Sequence, residues 1–233
     1  MIKIPLFNVF FLILFCSSSL ICSTLSERDQ SLFLEINHYR TPFLDRSHQF
    51  LNYTQSGGGL IYLGLGVHGL IKGDRAEKNL AILGFTNLAY NTIVTEALKA
   101  TFQRVRPKLA LDPVYGSYEH SWVTKHLITS ERHSFPSLSA SSALGSVYLL
   151  DHYLKLKWYW KTMGYGWVVL LGYSRIYQGA HYPMDILGGF LLGYLNAKTI
   201  LYLEEKGFFR KMKVGVYPIE GTEILVVNIG KKF

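Results

Sequence analysis

Three small groups of residues in this sequence carry types and spacings that suit phosphate chemistry. Lys99 and Arg106 stand seven residues apart, with Pro107 next. Pro136 and Ser137 precede an apolar run, and Ser174, Arg175, His181 and Asp185 form the pattern S-R-x5-H-x3-D. Lys99, Arg106 and Arg175 can neutralise phosphoryl oxygens, and a guanidinium fork suits two-pronged contact. A helix opening after Pro136 adds backbone donors and the positive end of a helix dipole. A carboxylate four residues after His181 can hold the imidazole in one tautomer, which makes the histidine a candidate nucleophile. Singly, each group has a plainer reading: snorkelling helix ends, a serine cap, a satisfied polar pair. Together they require a fold that brings them to one place.

The elements that must do so are apolar. The run Leu6 to Phe15 lies in an N-terminal stretch, residues 1–22, that reads as a signal peptide or a first membrane helix. Leu32 to Leu51 alternates apolar and charged positions and breaks at Pro42, as amphipathic helices at a membrane surface do. Five further segments of near-spanning length cover about Gly58 to Ile71, Leu80 to Ala100, Ser139 to Leu154, Trp160 to Tyr177 and Met184 to Leu203. The expected fold is therefore all-α, a polytopic membrane bundle of about six helices. Its body spans residues 23–205, and the tail 206–233 has the alternation of a small β-hairpin.

Loop charge orients the bundle. Lys72, Arg75 and Lys78, then Lys155, Lys157 and Lys161, then Lys206, Arg210, Lys211 and Lys213 fill alternate loops, which the positive-inside rule places in the cytoplasm. Arg106 to Pro136 and the link around His181 then face outside, which puts all three groups on the same side. The first of these loops has cations of its own that the rule leaves unexplained.

Composition agrees. Of 233 residues, 49% are hydrophobic and 17% charged, and the mean hydropathy is +0.16. That excludes a disordered chain and disfavours an ordinary soluble domain. The net charge of +8 fits anionic lipid or a phosphorylated substrate better than nucleic acid, for which a soluble domain would be needed. Cys16 and Cys22 alone cannot make a disulfide framework or a cysteine zinc site. Gly64, Gly66 and Gly69 match G-x-G-x-x-G inside an apolar helix, where close packing is the sensible reading, as it is for Gly189 and Gly193.

The groups resemble the three signature motifs of the type-2 phosphatidic acid phosphatase and vanadium haloperoxidase superfamily, K-x6-R-P, P-S-G-H and S-R-x5-H-x3-D. The first and third are complete here, and Asp29, Phe33, Asn37, Pro42 and Asp45 add a likeness to the bacterial membrane members. The resemblance implies a hydrolase in which His181 attacks phosphorus, Asp185 orients it, and Lys99, Arg106, Ser137 and Arg175 hold the phosphate. It implies no metal or other cofactor, a phosphorylated lipid as partner, and vanadate as a mimic of the transferred group. The second motif departs from the pattern: Leu138 and Ser139 replace glycine and the histidine expected to protonate the leaving oxygen. His120, His126 and His133 share the outer loop and are candidate substitutes. Two functions follow: a lipid phosphate or diphosphate phosphatase at the outer face of the cell membrane, or a non-catalytic relative that binds phosphorylated lipid. The sequence specifies neither the lipid nor an oligomeric state.

Overall fold

The computed structural model describes residues 19–55, 57–116, 132–209, 212–219 and 222–229. Its helices are α1 (Ser19–His38), α2 (Pro42–Thr54), α3 (Gly57–Lys72), α4 (Arg75–Phe102), the single turn α5 (Pro107–Ala110), α6 (Leu138–Leu154), α7 (Trp158–Tyr177) and α8 (Pro183–Glu205). Two strands, β1 (Met212–Ile219) and β2 (Thr222–Ile229), pair antiparallel from Met212↔Ile229 to Ile219↔Thr222. Each of the five long apolar segments is a helix whose ends extend the sequence expectation by a few residues. Residues 1–18 lie outside the described residues, and α1 runs through the boundary expected between residues 22 and 23.

The helix ends follow local chemistry. Pro42 opens α2 behind Thr41, whose hydroxyl accepts from the Leu44 amide. Asp74 caps α4 through the amides of Ala76 and Glu77, and α4 ends where Gln103 turns left-handed at φ 50°. Ser137 caps α6, and Pro183 opens α8.

Inside and outside differ in polarity along α4 and its neighbours. Asn87, Asn91, Thr95 and Lys99 recur every four residues along α4 and are all buried, whereas Ile93, Val169 and Leu187 face outward. In the buried layer Asn91 donates to Ser141 and Ser142 of α6, and Asn196 of α8 donates to Asn91. Polar groups thus join these helices internally while apolar groups face outward. Among the described residues, α8 is long and apolar enough to cross a membrane by length and composition.

α6 packs most extensively against α8 and also contacts α3, α4 and α7. The α6–α8 approach depends on Gly189 and Gly193, because a Cβ there would lie 2.6 Å from the Ser137 carbonyl oxygen and 2.2 Å from that of Ser141. In α3, Gly66 and Gly69 lie against α4 and the turn before it, but Gly64 faces open space, so the packing reading holds for two of the three glycines. The up-and-down order brings the ends of α4 and α7 and the starts of α6 and α8 together at one end of the bundle.

Candidate active site

His181 lies in the short link between α7 and α8, and is buried. Its Nδ1 is 2.9 Å from the Ser134 carbonyl oxygen and 3.6 Å from Asp185 Oδ2. A carbonyl can only accept, so Nδ1 carries the proton. On the other side Nε2 lies 3.3 Å from Arg106 Nη1, which can only donate. The two contacts independently fix the same tautomer, with the Nε2 lone pair facing a guanidinium. Burial and the charges of Arg106 and Lys99 outweigh the Asp185 carboxylate and push the His181 pKa down to about 4, so the ring is neutral at pH 7.

Asp185 stands beside the imidazole as expected, with the Ser134 carbonyl as the nearer acceptor for the Nδ1 proton. The carboxylate has further partners. Asp185 Oδ2 accepts from the Tyr182 amide at 2.9 Å, and Oδ1 accepts from Arg104 Nη1 at 2.8 Å. The carboxylate thus braces the turn that presents His181 and supplies a negative potential behind the ring.

Arg104 was not among the sequence-derived residues. Its Nη2 donates to Asp29 Oδ2 at 2.6 Å, its guanidinium stacks 4.0 Å over the Tyr182 ring, and Asp29 Oδ1 accepts from the Met184 amide. One cation therefore ties α1, the end of α4 and the start of α8 together. It stands just before the Arg106 to Pro136 loop, and the sequence carried no signal for it.

Ser134 is placed by the two ends of the same loop. The Arg106 amide donates to the Arg132 carbonyl, the Ser134 amide to the Arg104 carbonyl, and Val105 and His133 form an antiparallel bridge. Arg106 also donates to the Ala180 carbonyl at 3.0 Å. His133 is half-buried at this bridge, and His120 and His126 lie outside the described residues.

Lys99 is buried one turn from the end of α4, and its Nζ donates to Glu96 at 2.8 Å. Ser137 is buried, and its Oγ caps α6 through the Ala140 amide. Its own amide donates to the Asp185 carbonyl, so it is not one of the donors expected to be open to a phosphate. Those fall to Leu138 and Ser139, in the first helical turn, where amides have no intrahelical partner.

Arg175 is fully buried in the last turn of α7. Its Nη2 donates to Asn52 Oδ1 at 2.6 Å and to Gln55 Oε1, while Gln55 Nε2 donates to Ser139 Oγ at 2.8 Å. Asn52 and Gln55 come from the end of α2, more than 100 residues away in sequence. The structure therefore brings Arg106, His181 and Asp185 into one cluster, joins Ser137 to it through Asp185, and links Arg175 to Ser139 through Gln55.

Beside the cluster an apolar groove of about 240 Å³ runs between α4 and α8. Phe102, Phe135, Pro136 and Met184 stand at the end near the site, and Leu192 and Leu195 lie further along.

The fold and the site define a helical membrane protein built around a buried histidine among cations. It is similar to the solved structure of Aquifex aeolicus LpxE, with a TM-score of 0.59 and 27% identity over 74% of this chain and 93% of that one. The transmembrane PAP2 type phosphatidylglycerolphosphate phosphatase from Bacillus subtilis shares the fold, with a TM-score of 0.64, 23% identity, and 85% and 94% of the two chains covered. Residues 79–208, more than half of the chain, match the PAP2 superfamily model, and the chain belongs to that superfamily. Among curated relatives, the undecaprenyl-diphosphatase of Sulfolobus acidocaldarius is 27% identical over 187 residues, 78% of this chain and 81% of that protein.

Proposed function

We propose that this chain is a multi-pass membrane phosphatase that hydrolyses a lipid phosphate or lipid diphosphate at the extracytoplasmic face through a phosphohistidine. The observation that carries the reading is the doubly fixed tautomer of His181, since simple binding of an anion does not need a neutral imidazole with its lone pair presented beside a guanidinium. Nε2 attacks phosphorus, the bond to the leaving oxygen breaks, and Arg106, Lys99 and Arg175 offset the charge on the phosphoryl oxygens. The proton stays on Nδ1, donated to the Ser134 carbonyl, with Asp185 behind it as the ring becomes cationic. Water then attacks phosphorus, the bond to Nε2 breaks, and inorganic phosphate leaves.

The groove between α4 and α8 supports a lipid over a soluble substrate, because it offers hydrocarbon a path that starts at the site. The alternating loop charges support the outward orientation. The names of the relatives, which include an undecaprenyl-diphosphatase, support a lipid phosphate class. Ser139 and Leu138 favour a second reading, a non-catalytic binder of phosphorylated lipid, because a serine hydroxyl is a poor acid near neutral pH. Phosphate release by the purified protein from a panel of lipid monoesters and diphosphates, with His181→Ala as control, separates the two: release that depends on His181 supports the enzyme, and anion binding without release supports the binder.

A further inference from the structure

Ser139 stands where the resemblance expects a histidine, yet its surroundings are organised. Arg175 carries only donors, so the Gln55 oxygen must face it, and the Gln55 nitrogen must face Ser139. Ser139 Oγ consequently accepts from Gln55, which leaves its proton to be donated. Among the described residues that proton has no acceptor, although Ser139 is only 8% exposed. The hydroxyl belongs to the first turn of α6, two residues after Ser137, whose amide donates to the Asp185 carbonyl, and it lies one carboxamide away from the Arg175 guanidinium.

We propose that Gln55 is a positioning residue that fixes the Ser139 hydroxyl as a donor to an oxygen of the bound phosphoryl group, with Arg175 setting the direction of the relay. This rests on the phosphate-site reading given above. Asn52 strengthens the arrangement, since it occupies the second proton of Arg175 Nη2 and holds the guanidinium against the end of α2. The hydroxyl remains a hydrogen-bond donor and does not transfer its proton, so no change of covalent bonding at Ser139 is involved. It strengthens the hold on the anion without replacing an acid.

The test is a double-mutant cycle on the full-length protein in detergent, read by orthovanadate binding. Ser139→Ala should weaken binding about tenfold, the loss expected for one hydrogen bond to a charged oxygen. Gln55→Met should weaken it at least as much, because Arg175 also loses a partner. In the Ser139→Ala background, the effect of Gln55→Met should shrink by about that same tenfold, since both act through one hydroxyl. A Ser139→Ala protein that binds as tightly as wild type, or two effects that simply multiply, overturns the proposal. A merely structural Gln55 would lower the melting temperature without this coupling. Should Gln55→Met not fold, the Ser139→Ala arm decides alone. A wild-type protein that releases no phosphate but shows the expected cycle sinks the phosphatase reading and keeps the relay; release with a flat cycle does the reverse.

Discussion

The two halves of the candidate site differ in how they are held. On the His181 side the ring, Ser134, Asp185, Arg104 and Asp29 form a closed set in which the described contacts come from four separate stretches of chain. On the Ser139 side the link runs through one glutamine carboxamide at the end of α2. The half that would attack phosphorus is braced from several directions and keeps the family pattern. The half that would serve the leaving oxygen departs from the pattern and depends on a short relay. The difference suggests a site that forms the phosphoryl bond readily and releases poor leaving groups badly.

The largest expected effect breaks the braced half. His181→Ala should reduce phosphate release to background, whatever the substrate, while leaving the helices intact by circular dichroism. Activity retained in this variant would mean that another residue attacks.

The next effect sharpens the contrast by repairing the weak half. Leu138→Gly with Ser139→His should raise hydrolysis of lipid monoesters by roughly 10²- to 10⁴-fold, the usual worth of a general acid, and should raise diphosphate hydrolysis less. The reason lies in the leaving groups: the parent alcohol of an alkoxide is a far weaker acid than a departing phosphate, whose second pKa is about 6. For the same reason the wild-type protein should prefer a lipid diphosphate to a monoester. Equal turnover of both, measured as phosphate release, would point to a proton donor such as His133.

Arg104 tests the bracing itself. Arg104→Met leaves the buried carboxylates of Asp29 and Asp185 without their shared cation. It should cost about 2 kcal/mol of stability, less than a fully buried pair because the Arg104 side chain is a quarter exposed. Thermal denaturation with turnover in parallel checks this: both should fall, and an unchanged melting temperature would contradict the bracing role.

The smallest effect is in pH dependence. With the His181 pKa pushed down to about 4, the reactive neutral ring persists below the ordinary histidine range and is lost only as pH falls through that value. The acid limb of kcat/KM should therefore lie well below pH 6.5. A limb at 6.5 would show that the ring is less buried, or less exposed to Arg106 and Lys99, than the geometry indicates.

Much of the braced half was legible in the sequence. The apolar segments and their caps at Asp74, Ser137 and Pro183 set the helices, and the spacing from Ser174 to Asp185 depends on one short link. Lys99 and Arg106 were legible because a proline and the end of an apolar run mark their turn. Arg104 and Ser134 were not, and Asp29 entered only through the family likeness, since a loop arginine, a backbone carbonyl and a helical aspartate acquire their structural meaning only when α1, α4 and α8 converge. Gln55 and Asn52 were hidden for the same reason. Spacing put Asp185 beside His181, but it could not show the Ser134 carbonyl as a nearer acceptor, because spacing shows which side chains can meet and not which backbone groups join them.

The most direct test of the central claim is phosphate release from a lipid diphosphate by the purified protein, compared with His181→Ala at equal amounts of folded protein. The account predicts release by the wild type, inhibition by orthovanadate, and none above background in the variant. Equal release by both proteins, or orthovanadate binding with no release by either, would contradict it.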